Sequence, residues 1–164
     1  MPSIISIVGQ SGSGKTTIIE KLIPELKKRN YKIGTIKHAF HHDIDIDQKG
    51  KDSWRHRQAG ADAVMIAARD MFALVKKSDD YTLNSLETHF QDMDIIITEG
   101  FKSEDKSKIE VFRSGVHKTP VCLNDRKLVA LVSDKVFNTE VPIFGLEEIK
   151  QLAKFIEKKF ILNQ

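Results

Sequence analysis

Residues 3–17 read S-I-I-S-I-V-G-Q-S-G-S-G-K-T-T, and this stretch decides the fold. Ser3–Val8 is an apolar run of the kind found in a parallel strand buried on both faces. From Lys15 to Arg29 the spacing turns helical, with Ile18, Ile19, Leu22, Ile23 and Leu26 apolar and Lys and Glu between them. Pro24 predicts a kink or an early end to that helix. Between strand and helix, Gly9, Gly14, Lys15 and Thr16 match G-x-x-x-x-G-K-[ST] in full. The residue types suit a phosphate chain. Glycines let the backbone turn so that its N–H groups converge on phosphate oxygens, and the helix N-terminus adds its dipole. Lys15 supplies a point charge to the β- and γ-phosphates, and the Thr16 hydroxyl is placed to coordinate Mg²⁺. Gly12, Ser13 and Thr17 complete the candidate binding loop. The anion read from this stretch is the phosphate tail of a nucleoside triphosphate.

Working outward, Tyr31–Ile36, Ala63–Ala67, Phe72–Lys76, Asp94–Thr98, Ile109–Phe112 and Val129–Val132 read as strands. Asp52–Gly60 reads as a short helix with Asp52 or Ser53 as N-cap and Gly60 as its stop, and Leu83–Phe90 as a further helix. Leu146–Phe160 carries Leu146, Ile149, Leu152, Ala153, Ile156 and Phe160 on one amphipathic stripe. Strands alternating with helices predict a three-layer α/β fold of the P-loop NTPase kind: a mostly parallel sheet, helices on both faces, and an antiparallel hairpin at 63–76. Phe101–Leu123 is the least patterned region. A chain of 164 residues suits one domain, 1–164, with a single core.

Composition excludes several classes. A net charge of +3 suits anionic ligands but is too weak to argue for nucleic acid. A single cysteine, Cys122, forbids an intrachain disulfide, and its apolar context reads as a small buried hydrophobe. The N-terminus lacks a basic signal-peptide region, and no apolar run approaches a membrane span, so a cytoplasmic protein is the expectation.

A P-loop protein needs an acid at the end of a buried strand, facing Mg²⁺ or its water shell. D-I-I-I-T-E-G-F-K at 94–102 supplies Glu99 as the first acid after the apolar run, and Gly100 permits close backbone approach to phosphate. The usual residue is Asp, so Glu99 is a departure expected to reach the metal through water; the bland alternative is an exposed strand-end charge. K-H-A-F-H-H-D-I-D-I-D-Q-K-G-K-D at 37–52 gathers three histidines and four aspartates. It reads as a polar loop, as an active-site loop in which Lys37, His38, Asp45 and Asp47 touch ligand or Mg²⁺, or as a zinc site that lacks cysteine support. Arg55 and Arg57 bind a second anion or line a solvated helix face. Trp54 reads as core.

These residues carry a resemblance. G-Q-S-G-S-G-K-T-T near the N-terminus, T-I-K-H at 35–38, D-x-D with G-K-D-S-W-R-H-R-Q-A-G-A at 45–61, and T-E-G-F-K at 98–102 together resemble the MobB family of molybdopterin-guanine dinucleotide biosynthesis adapter proteins. The phosphate loop alone is widely shared; the set in this order, over roughly residues 3–160, is specific. The resemblance implies GTP and Mg²⁺ as ligands, weak intrinsic GTPase activity and a homodimer. It implies as partner the guanylyltransferase that joins GMP to molybdopterin, with molybdopterin a further candidate ligand. By position, Gly12–Thr17 would bind phosphate, Glu99 would sit on the Mg²⁺ side, and Lys37, His38 and the Asp45/Asp47 loop would face the nucleotide or the partner's substrate. Guanine needs an acceptor pair, which a carboxylate supplies. N-K-x-D is absent and N-D-R-K at 124–127 is not that motif, so Asp134, in V-S-D-K at the end of an apolar strand, is the candidate, against an ordinary strand-end turn.

A second function class stays open beside the adapter: a small P-loop kinase transferring the γ-phosphoryl group. It needs an arginine-bearing lid, for which R-S-G-V-H-K at 113–118 is the candidate, though short. Fast hydrolysis needs a positioned water and an arginine. Arg55, Arg57 and Arg113 are the candidate arginines, with a partner or dimer mate as the alternative source.

Overall fold

The structure, a computed structural model, describes residues 1–39 and 48–162. The chain divides into two compact units, Met1–His38 with Leu86–Gln164, and Ala39–Ser85.

The larger unit is built on a six-stranded sheet. Its strands are β1 (Ser3–Val8), β2 (Ile33–Lys37), β5 (Ile95–Glu99), β6 (Ser107–Phe112), β7 (Leu128–Ser133) and the short β8 (Ile143–Phe144). They lie in the order β2-β5-β1-β6-β7-β8, and every pairing is parallel. Parallel strands must be covered on both faces, which is why β1 and β5 read as near-continuous isoleucine. Alternate residues face opposite ways. Ile5, Ile7, Ile95, Ile97, Ile109, Val111, Ala130 and Val132 form one face, packed against Ile18, Ile19, Leu22 and Leu26 of α1 (Lys15–Lys27) and Ile149, Leu152, Ala153 and Ile156 of α4 (Ile149–Ile156). On the other face, Phe90, in a 3₁₀ turn at Glu87–Phe90, fills the place left by Gly34 of β2. A Cβ at Gly34 would lie 2.4 Å from Phe90 Cδ1.

Two buried charges fasten Phe101–Leu123. Glu110 of β6 accepts from the backbone N–H of Val121 at 2.7 Å and of Cys122 at 2.8 Å. Lys108, beside it on the same face, pairs with Asp125 at 2.7 Å. Asp125 also accepts from the Lys127 N–H at 2.9 Å, so the N-D-R-K tetrad serves the fold. Cys122 is buried as expected, and burial pushes its thiol up to about 11.

Several boundaries differ from the sequence reading. Pro24 lies inside α1 and does not end it; Lys28 N–H reaches the Pro24 carbonyl at 3.0 Å, and the chain turns at Asn30, whose φ is 64°. Asparagine tolerates that left-handed conformation. The helix expected over Leu146–Phe160 starts at Ile149 and finishes as a π-helical turn over Glu157–Ile161. β8 was not anticipated, because two residues are too few for a pattern.

The smaller unit holds α2 (Asp52–Gln58) and the hairpin of β3 (Ala63–Ala67) and β4 (Phe72–Lys76), paired Ala63 to Lys76 through Ala67 to Phe72. The hairpin matches its expected bounds. α2 starts after Lys51 with no side-chain cap, not from Asp52 or Ser53 as N-cap, and Trp54 is half-buried instead of core. Gly60, with φ of 106°, does follow its end. The short α3 (Leu83–Leu86) begins in this unit.

Candidate functional site

The carboxyl ends of β1, β2, β5 and β6 converge on the loop between β1 and α1. Gly9, Gly12 and Gly14 all have positive φ, at 139°, 76° and 96°. At Gly9 the requirement is also steric: a Cβ there would lie 2.4 Å from the Val111 carbonyl oxygen, so only glycine lets the loop leave β1 beside β6. Gly14, in the left-handed region, is the N-cap of α1 and gives no side-chain cap, which leaves the first-turn N–H groups facing the loop. Ser13 is fully buried, and its hydroxyl has no partner among the described residues.

Lys15 folds back over this loop. Its Nζ donates to the carbonyls of Gly9 at 3.1 Å and Gln10 at 2.9 Å. Burial pushes the ammonium pKa down; the Glu99 carboxylate opposes that shift, and the Lys37 charge adds to it. Thr16 and Thr17 are exposed on the first turn of α1. The Thr16 hydroxyl donates to Glu99 Oε1 at 2.9 Å. Glu99 ends β5, in register with Ile7 of β1 and Lys37 of β2. Its other oxygen lies 3.7 Å from Lys37 Nζ. The parallel register therefore brings together an acid, a hydroxyl and two lysines that lie 84 residues apart at the extremes, from Lys15 to Glu99.

His38 continues from β2, its N–H donating to the Glu99 carbonyl at 3.0 Å. Its ring stands 4.7 Å from that of Phe101. Gly100 lies against it, where a Cβ would come within 3.0 Å of His38 Cβ, and its N–H donates to Ile7 at 3.1 Å. Asp45 and Asp47, and the His41, His42 and Asp43 of the zinc alternative, lie outside the described residues. Among the described residues there is no cluster of three or more His, Cys, Asp or Glu that could hold a metal. Arg55 and Arg57 belong to the smaller unit, on α2.

Asp134 has a definite task. Both its oxygens accept from the Ser114 N–H, at 2.8 and 3.1 Å, and Oδ2 also accepts from the Ser114 hydroxyl at 2.9 Å. The backbone bond from Ser114 holds its carboxyl below the usual range, with the hydroxyl bond adding to it. It stands on the rim of a cavity of about 540 Å³ lined by Ser133, Lys135, Val136, Gly145 and Leu146, at the carboxyl ends of β7 and β8.

Two residues of the loop surroundings escaped sequence reasoning. His117 Nε2 donates to the Ser11 carbonyl at 2.7 Å, and Gln10 Nε2 to the Thr119 carbonyl at 3.1 Å. Partners 106 and 109 residues apart leave no periodic signal.

A glycine loop leaving a buried parallel strand, a lysine across it, and a hydroxyl facing an acid on the neighbouring strand define a P-loop nucleotide-binding protein. Comparison with known proteins narrows the class. The chain belongs to the MobB family: Molybdopterin guanine dinucleotide synthesis protein B matches it over residues 4–134. It is 35% identical to the Escherichia coli molybdopterin-guanine dinucleotide biosynthesis adapter protein, over 95% of this chain and 92% of that one. It is 36% identical to the adapter protein of the same name from Haemophilus influenzae, over 94% of this chain and 87% of that one. A crystal structure of molybdopterin-guanine biosynthesis protein B superposes with a TM-score of 0.75 at 28% identity, covering 94% of this chain and 98% of that one. The kinase alternative draws no support from these relatives.

Proposed function

We propose that the chain is a GTP-binding adapter that assists attachment of GMP to molybdopterin, working in the cytoplasm beside the guanylyltransferase that performs the transfer. The observation that carries this reading is the pair Thr16 Oγ1 and Glu99 Oε1, 2.9 Å apart beneath a phosphate loop already spanned by Lys15. Two hard oxygen donors beside a site for phosphates suit Mg²⁺, which keeps several waters and takes its remaining ligands from phosphate. Thr16 and Glu99 would hold it, and when bound it neutralises charge on the β- and γ-phosphates. Gly12, Ser13, Gly14 and Thr17 supply backbone N–H groups to the phosphates, and Lys15 the balancing charge. Asp45 is a further metal candidate. Lys37, His38 and Gly100 border the same face, toward the nucleotide or the partner's molybdopterin substrate.

Hydrolysis is slow in this reading, because the side chains that approach the loop are already engaged, Glu99 with the Thr16 hydroxyl and Lys37 and His117 Nε2 with the Ser11 carbonyl. Asp134 is the guanine candidate through the acceptor capacity that its bonds to Ser114 leave over, since each carboxylate oxygen takes more than one hydrogen bond.

The chain acts as a homodimer, supported by the hairpin. Met65, Phe72 and Leu74, 57%, 69% and 39% exposed, share one face of the hairpin, an apolar surface out of keeping with a solvated strand pair.

Titration with GTP, ATP and GDP, with and without Mg²⁺, tests the proposal. Tighter GTP binding that depends on Mg²⁺, with turnover well below one per minute, is the outcome expected. Equal or tighter ATP binding would overturn the guanine assignment, and a phosphorylated small-molecule product would restore the kinase.

A further inference from the structure

The segment between β6 and Cys122 straps the phosphate loop from the side opposite Glu99. In the strand order β5-β1-β6, β1 has β5 on one flank and β6 on the other. Glu99 ends β5; Arg113 is the first residue beyond β6. From there the chain turns tightly, with the Val116 and His117 N–H groups both donating to the Arg113 carbonyl at 3.1 Å. Asp134 pins the turn through Ser114, and His117 and Thr119 are tied to Ser11 and Gln10 of the loop. Val116 Cγ1 lies 3.5 Å from where a Cβ at Gly12 would stand. The tethered turn places the exposed Arg113 side chain over the start of α1, its Nη2 3.4 Å from the Cβ position of Gly14.

That position is electrostatically wrong for the protein alone. A helix N-terminus carries partial positive charge and repels a cation. Lys15 is already there, and among the described residues no carboxylate pairs with Arg113. A polyanion on the loop attracts the helix N-terminus, Lys15 and Arg113 alike, and those attractions outweigh the repulsion among them. The planar guanidinium fork suits two phosphate oxygens at once.

We infer that Arg113 is a phosphate-contacting residue, gripping the triphosphate chain on the flank opposite Glu99, and that the 113–119 strap exists to hold it there. The inference rests on the nucleotide reading above. The phosphate chain then lies between a carboxylate suited to metal on one side and a guanidinium on the other.

Calorimetric titration of the full chain with Mg²⁺-GTP and with Mg²⁺-tripolyphosphate, which has no base, separates the possibilities. Arg113→Ala should weaken both ligands by roughly 10- to 100-fold, the loss of a charged hydrogen-bond pair. Arg113→Lys should recover part of the loss, since the charge returns without the fork. His117→Ala should weaken both in the same direction by a smaller factor, and it stands as an independent variant because it leaves the guanidinium in place. Unchanged affinity for both ligands in Arg113→Ala, or a loss confined to GTP, overturns the inference, the second outcome marking a base contact. If Lys15→Ala abolishes binding while Arg113→Ala does not, only this inference fails. If the unaltered chain binds neither ligand, the nucleotide reading fails and takes the inference with it.

Discussion

Glu99 shows how one side chain serves several neighbours. Its carboxylate takes the Thr16 hydroxyl, faces Lys37 and counters the desolvation of Lys15. Glu99→Gln keeps the shape and removes the charge. Mg²⁺-dependent GTP affinity should then fall by roughly 10- to 100-fold, the usual cost of disturbing a metal's supporting shell, while Mg²⁺-free binding changes little. Titration at fixed GTP over a range of Mg²⁺ reads this directly. Asp134 makes a different prediction, about pH. Its folded carboxyl titrates below the ordinary Asp value of about 3.9. A depressed acid contributes stability above its unfolded pKa and loses it as pH falls through the folded one. The stability gap between the native chain and Asp134→Asn should therefore be full at pH 7 and close as pH drops below about 4. Urea unfolding at several pH values measures it; a gap independent of pH would mean that the carboxylate charge contributes nothing there.

At the scale of elements, α1 joins site to core. Its start carries the half-buried Lys15 and the exposed Thr16, and its buried stripe ends in Leu22 and Leu26, both fully enclosed between sheet and α4. Leu22→Ala should cost about 2–5 kcal/mol by leaving a cavity under the helix. The same chemical denaturation with Mg²⁺-GTP present should then recover part of the loss, because ligand binds the folded state alone. Most of this level was legible in the chain. The apolar runs of β1 and β5, the helical stripe of α1 and the alternation of the hairpin each carry their period in the residues themselves. Phe101–Leu123 was not legible because long-range bonds organise it: Glu110 to the N–H groups of Val121 and Cys122, Lys108 to Asp125, His117 to Ser11. No local period encodes a buried carboxylate that caps a loop. The site divided along the same line. The motif residues of the loop, Glu99 and the arginine-bearing stretch 113–118 could be named in advance; the tethers that lay Arg113 beside Gly14 could not, nor could the capture of Asp134 by Ser114.

For the whole molecule the open question is how the hairpin finds cover. Ile66 and Leu74 are exposed within β3 and β4, and Met71 and Phe72 at the turn are 70% and 69% exposed. Met65→Asp together with its cross-strand neighbour Leu74→Asp should convert the proposed dimer to monomer without loss of the phosphate loop, read by light scattering at several concentrations. A native chain that scatters as a monomer throughout would remove the dimer. Among the described residues no helix is long and apolar enough to cross a membrane.

Within the isoleucine wall between β1 and β5, one polar contact interrupts the uniformity: Thr98 donates to the hydroxyl of Ser6 at 2.9 Å, both residues fully buried. Isoleucine against isoleucine fits almost equally well when one strand slides by two positions, so hydrophobicity alone would admit several alignments. In any slipped alignment the two hydroxyls part and each is buried without a partner, at about 1–3 kcal/mol apiece. The pair acts as a vernier mark between two otherwise featureless scales. It makes the alignment that sets Glu99 opposite Thr16 the one the chain selects as it folds.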